Sequence, residues 1–171
     1  MNGDRIGHGR SGASPAGTVT PLTGDELREL YRELILDHAR RPRHFGRLSG
    51  ATHEAVGINP LCGDRLHLYL AVDADGVIRE AGFEGSGCAI SVASASLMAE
   101  MITGMDRANA LARRQDVTCA LRGEAPGAGL GKLEALLGVR EFPARVKCAT
   151  LAWQALGGAL TSAGGPVSTE N

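Results

Sequence analysis

Three cysteines, each in its own turn-like setting, constrain this chain more than any other feature. Cys62 falls in Asn59-Pro60-Leu61-Cys62-Gly63-Asp64, Cys88 follows Gly85-Ser86-Gly87, and Cys148 follows Arg145-Val146-Lys147. No pair has the Cys-x-x-Cys spacing of a zinc ribbon, so only a fold that joins distant segments can bring the three together. Asp64, two residues after Cys62, adds a carboxylate. Three thiols and a carboxylate make a four-ligand set for a thiophilic metal. From spacing alone, zinc, an iron–sulfur cluster and reactive thiols all fit. Taken singly, each cysteine has a plainer reading as a small buried hydrophobe. Three at predicted element edges, one beside an acid, favour a site. The fourth, Cys119, sits mid-helix between Thr118 and Ala120 with no turn or acid beside it, and reads as packing.

Composition excludes several classes. A chain of 171 residues is long enough for one domain with a proper core. A net charge of −1 offers no general attraction to nucleic acid or anionic membranes. No apolar run approaches the ~20 residues of a membrane span. Residues 1–22 are rich in Gly, Ser and Pro and lack an apolar signal core; they read as a disordered tail, as do residues 164–171. A reducing cytoplasm is expected, where four cysteines point to metal or catalysis rather than disulfides.

The domain is expected over residues 23–163. Thr23-Gly24-Asp25-Glu26 has the form of a capping box. Leu27, Leu30, Tyr31, Leu34, Ile35 and His38 then recur at helical spacing, and Pro42 stops the helix. Arg40, Arg41 and Arg43 at its end match the helix dipole, or form a basic docking edge. Leu66, Leu68, Leu70 and Val72 alternate with Arg65, His67, Tyr69 and Ala71, as in a half-buried strand. Asp73-Ala74-Asp75-Gly76 turns it into a second strand over 77–84, and residues 53–58 pair as a third. This hairpin should make Cys62 and Cys88 neighbours. Residues 88–103 predict a buried helix with Cys88 at its N-terminus, where free amide hydrogens favour a thiolate. Helices over 108–121 and 132–137 follow, and Pro143 opens a last helix carrying Cys148. The expected fold is α+β: a small antiparallel three-stranded sheet with helices packed on one side. His38 and His67 are ligand candidates by chemistry, but their faces assign them to core and surface.

At this point the motifs Asn59-Pro60-Leu61-Cys62-Gly63-Asp64, Gly85-Ser86-Gly87-Cys88-Ala89-Ile90-Ser91 and Lys147-Cys148 resemble the IscU/NifU-type iron–sulfur assembly proteins. Leu34-Ile35-Leu36-Asp37-His38, with Pro42-Arg43 and Gly46 after it, is similar to that family's first helix and its exit. The resemblance spans about Leu27 to Leu160. Scaffold-type members carry a histidine where this chain has Lys147. Extra sequence around Leu121 to Arg140 is also typical of the SufU branch. The resemblance to that branch implies zinc held by Cys62, Asp64, Cys88 and Cys148. It also implies Cys62 as acceptor of persulfide sulfur from a SufS-type cysteine desulfurase, and Arg145 at the reactive site. The protein would then be a zinc-dependent sulfurtransferase passing sulfur to a downstream iron–sulfur assembly scaffold, with no nucleic-acid or membrane partner. Two alternatives stay open: a scaffold carrying a transient iron–sulfur cluster, and a non-catalytic zinc module that binds a protein. A carboxylate among three thiolates differs from the usual structural zinc sets and fits a site that exchanges a ligand.

Overall fold

The computed structural model describes residues 23–125, 129–161 and, as backbone, 167–168. The element order is helix α1 (Gly24–Arg40), strands β1 (His53–Asn59), β2 (Asp64–Val72) and β3 (Ile78–Ser86), helices α2 (Ala89–Ile102) and α3 (Arg107–Leu121), a 3₁₀ segment (Gly131–Glu141), helix α4 (Pro143–Leu160) and a two-residue strand β4 (Val167–Ser168). Strands β1, β2 and β3 form the expected antiparallel sheet. It is extended by β4, which pairs parallel with β1 and gives the order β3-β2-β1-β4. Residues 1–22 lie outside the described residues. Of the stretch 164–171, read from sequence as a tail, only Val167–Ser168 is described, and it pairs with β1.

Local chemistry explains the helix ends. Thr23 caps α1 by accepting the Glu26 amide at 3.1 Å, the first half of the capping box. Pro143 stands in the first turn of α4, where its missing N–H costs nothing. Helix α2 is apolar nearly all round, and nine of its residues are buried, as expected of a helix packed on most sides. The 3₁₀ segment is longer than the helix expected over 132–137.

Helix α4 is the centre of the core. Trp153 is fully buried on it, and its indole N–H donates to Ser94 Oγ on α2 at 3.2 Å. Ser94 in turn donates to the Ala149 carbonyl at 2.6 Å. These bonds satisfy buried polar groups and fix α2 against α4. The starts of the two helices, which carry Cys88 and Cys148, are thereby held in register.

The apolar stripe of α1 is only partly covered. Ile35 and His38 are buried, whereas Leu27 and Leu30 are 36% and 51% exposed. Helix α1 packs on α2 and on the 3₁₀ segment. Among the described residues, nothing fully covers those leucines in its first turns. His38 has the core role its face predicts: Nδ1 lies 2.7 Å from Ser96 Oγ, which also accepts the Arg43 amide. His67 stands on the outer face of the sheet beside Glu54.

Candidate metal and thiol site

The site is built where β1, β2, α2 and α4 meet. Strand β1 ends at Asn59, which stands opposite Asp64 in the register of the hairpin. The intervening turn carries Cys62. The Asn59 carbonyl accepts the Cys62 and Gly63 amides at 3.3 and 2.9 Å. Gly63 adopts φ +73°, a conformation that a side chain would strain, so glycine is needed to close this turn. Cys62 is exposed at its tip and Asp64 is buried at its foot.

The Asp64 carboxylate is held by α2. Its Oδ1 accepts the Cys88 amide at 3.1 Å, so it caps α2 from a neighbouring strand. Its Oδ2 accepts the Ser91 hydroxyl. The Cys88 thiol lies 3.9 Å from Oδ2 and 3.7 Å from Ser91 Oγ. Gly87 makes this possible: a Cβ there would lie 2.7 Å from Asp64 Oδ1.

Cys148, in the second turn of α4, is buried. Its Sγ lies 3.5 Å from Cys62 Sγ, and Asn59 Nδ2 approaches it at 3.7 Å. Burial pushes the Cys148 thiol above its ordinary range, and the neighbouring Cys62, Cys88 and Asp64 side chains push the same way. The hairpin therefore does not make a simple Cys62–Cys88 pair. Cys62 meets Cys148, Cys88 meets Asp64, and Cys148 lies next to both halves.

The donor set fits a tetrahedral thiophilic ion. Ligand atoms of Cys62, Asp64 and Cys148 all lie within 4.8 Å of one another. Two sulfurs at ~2.3 Å from one zinc stand nearly 4 Å apart, close to the Cys62–Cys148 separation. Cys88 stands just outside that group, its thiol 3.9 Å from Asp64 Oδ2 and near enough to Cys148 to act on that thiol. Cys119 lies elsewhere, on α3, with its sulfur 3.5 Å from Gln115 Nε2. Arg145 is exposed on the first turn of α4, three residues before Cys148 and so adjacent to it along the helix surface. It lines a cleft of about 370 Å³ with Arg28, Arg32, Ile35, Ala89 and Ile90.

Three residues of the site have no role in the sequence reading. Ser91 and Gly87 position Asp64, and Asn59 touches Cys148. The signal for Ser91 is its place three residues after Cys88, one helical turn away; the other two depend on tertiary contacts.

A metal-ready thiol and carboxylate cluster, set at the end of a three-stranded antiparallel sheet backed by helices, defines the class. The chain belongs to the NifU-like N terminal domain family, whose pattern matches residues 30–162. It is 44% identical over 132 residues to the zinc-dependent sulfurtransferase SufU of Bacillus subtilis, covering 76% of this chain and 88% of that protein. It is 43% identical over 132 residues to the iron–sulfur cluster assembly scaffold protein IscU of Thermotoga maritima, covering 77% and 92%. The crystal structure of an assembly scaffold protein for the SUF system from Fervidobacterium islandicum superposes with a TM-score of 0.73. That protein is 33% identical, with 78% of this chain and 98% of the other covered.

Proposed function

We propose that this protein is a zinc-dependent sulfur acceptor that takes persulfide sulfur from a cysteine desulfurase for iron–sulfur cluster assembly. One observation carries the reading. An exposed cysteine on a glycine-hinged turn stands 3.5 Å from a buried one, beside a carboxylate and a third thiol. Similarity to a zinc-dependent sulfurtransferase supports it. Lys147 supports it too, because a histidine ligand is absent from that position.

Cys62, Asp64, Cys88 and Cys148 would hold the ion. Zinc, when bound, would keep the thiolates deprotonated and shielded from oxidation. Cys62 is the residue suited to leave and react. Its turn moves without breaking a helix, whereas Cys88 and Cys148 are tied to α2 and α4. The freed Cys62 thiolate attacks the outer sulfur of the partner's persulfide. A new S–S bond forms on Cys62, the partner's S–S bond breaks, and the partner cysteine leaves as a thiolate. The proton stays on the transferred sulfur and no external oxidant is needed. Arg145, one turn ahead of Cys148, would steady the negative charge that passes between the sulfurs.

The rim fits a protein partner. Leu61 and Phe142, beside Cys62 and at the start of α4, are 61% and 58% exposed. Apolar side chains at the mouth of a polar site are a docking feature. The partner in this reading is a SufS-type desulfurase, and a downstream assembly scaffold would receive the sulfur.

The test is a desulfurase assay with cysteine, a SufS-type enzyme and this protein, followed by mass spectrometry. The expected result is a gain of ~32 Da, one sulfur atom, on Cys62, with stimulation lost in Cys62→Ser. Normal stimulation by Cys62→Ser rejects the mechanism. A stable iron–sulfur chromophore passed to an apo-protein, with zinc as inhibitor, replaces it with the scaffold function named for the Thermotoga maritima relative.

A further inference from the structure

Asn59 is completely buried at the point where the Cys62 turn meets α4. Its side chain makes two contacts that differ in kind. Oδ1 accepts the Leu61 amide at 3.3 Å, a local bond that shapes the turn. Nδ2 donates to Cys148 Sγ at 3.7 Å, a bond that spans 89 positions of sequence. The first contact fixes the second. A carboxamide whose oxygen faces a backbone N–H must present its nitrogen on the other side, so the group at Cys148 is a donor.

The three cysteines are supported differently. Cys148 is buried and receives the Asn59 N–H. Cys88 has the Ser91 hydroxyl within 3.7 Å. Cys62 is exposed, and its sulfur contact is Cys148 itself. An N–H donor withdraws electron density from a thiolate, which makes that sulfur a poorer nucleophile and compensates its burial.

We propose that Asn59 is a positioning residue that assigns the roles of the two neighbouring sulfurs: its amide holds Cys148 as the fixed ligand, and its carbonyl shapes the turn that leaves Cys62 free to react. This rests on the metal-binding reading above. Burial and the α4 backbone already set Cys148 apart from Cys62, 3.5 Å away; the carboxamide adds a donor to the one sulfur and shapes the turn of the other.

Two variants separate the two halves of the side chain. Asn59→Ser keeps an oxygen that can accept the Leu61 amide but is too short to reach Cys148. Asn59→Ala loses both contacts. Zinc affinity is measured by chelator competition, and the three cysteines of the zinc-loaded protein are followed by alkylation and mass spectrometry. Wild type should label first at Cys62 and last at Cys148. Asn59→Ser should keep the metal-free melting temperature, bind zinc roughly 10- to 100-fold more weakly, and gain labelling at Cys148 with no matching gain at Cys88. Zinc affinity and labelling order equal to wild type in Asn59→Ser overturn the proposal. So does an equal gain at Cys88 and Cys148, because that marks general loosening. If Asn59→Ser is unstable, Asn59→Ala must still show the selective gain at Cys148, or the proposal fails. A wild-type protein that binds no zinc defeats the metal reading itself; zinc binding with unchanged variants defeats only the role of Asn59.

Discussion

Cys62 and Cys148 are separated by 86 positions in sequence, yet their sulfurs stand 3.5 Å apart. One is on a turn at the sheet end and open to solvent; the other is buried in the second turn of α4. An exposed thiol and a buried thiol are thus placed within contact distance by two elements that meet only in the folded state.

The same proximity makes the pair vulnerable when no metal separates it. In chelator-treated protein, mild oxidation with a thiol-specific oxidant such as diamide should join Cys62 to Cys148. The product is seen as a cross-linked peptide pair about 2 Da lighter than the two thiol peptides, since two hydrogens pass to the oxidant. Zinc-loaded protein should resist. A dominant cross-link to Cys119 would contradict the arrangement of the site, because that thiol is on α3.

Asp64 has two duties that mutation can divide. Its carboxylate caps α2 through the Cys88 amide and accepts the Ser91 hydroxyl, apart from any ligand role. Asp64→Ala should therefore destabilise even the metal-free protein, by about 1–3 kcal/mol. Asp64→Asn keeps an acceptor for the Cys88 amide, and should leave the metal-free melting temperature nearly intact while weakening zinc. Thermal melts in chelator, paired with zinc titration, check both. Equal metal-free stability of Asp64→Ala and wild type would show that the cap contributes nothing.

Much of this was legible in the sequence for identifiable reasons. The strands alternate cleanly in Leu66, Leu68 and Leu70, and the helix starts are marked by Thr23 and Pro143, so local chemistry alone locates them. The cysteines stood out because each follows a turn-like or polar stretch. The pairing among them was not legible. It depends on how α4 crosses β1 and β2, which is set by burial of Trp153 and Leu151 and has no local signature. Asn59 was hidden for the same reason, since it acts on a residue of a different element, whereas Ser91 is marked only by its spacing from Cys88. The exposure of Leu27 and Leu30 shows the converse. Periodicity marks a face, and only the packing of α2 and the 3₁₀ segment decides how much of it is covered.

Gly87 tests the tightness of the site. An added Cβ would lie 2.7 Å from Asp64 Oδ1, and that carboxylate is already held by α2. Gly87→Ala should push Asp64 off the Cys88 amide, cost about 1–3 kcal/mol and weaken zinc binding. Gly50→Ala is the control, since nothing lies within 4 Å of its Cβ position. Chelator competition on the two variants gives the comparison. Equal zinc affinity for Gly87→Ala and Gly50→Ala would mean that the Asp64 pocket has room to spare.

The last prediction concerns pH and lies away from the thiols. His38 is buried against α2, and burial is the main force holding its pKa below the ordinary value of about 6.5. Arg43 and Lys132 act in the same direction, while Glu100 and Asp37 oppose them. Its neutral ring is fitted to the site: Ser96 Oγ takes the Arg43 amide and leaves its own proton for Nδ1. The unfolded chain binds a proton at this histidine near pH 6.5, and the folded chain does so only at lower pH. Stability from this group is therefore complete above about pH 6.5 and falls as the pH drops toward the lower folded value, by at most about 1.4 kcal/mol per pH unit. Thermal melts of metal-free protein between pH 5 and 7.5 should show the decline. His38→Asn keeps an acceptor for Ser96 but does not titrate, so the variant should be less stable at pH 7.5 and lose less on acidification. Parallel pH profiles for wild type and His38→Asn would show that His38 titrates no differently folded than unfolded, and would exclude it as a source of acid sensitivity.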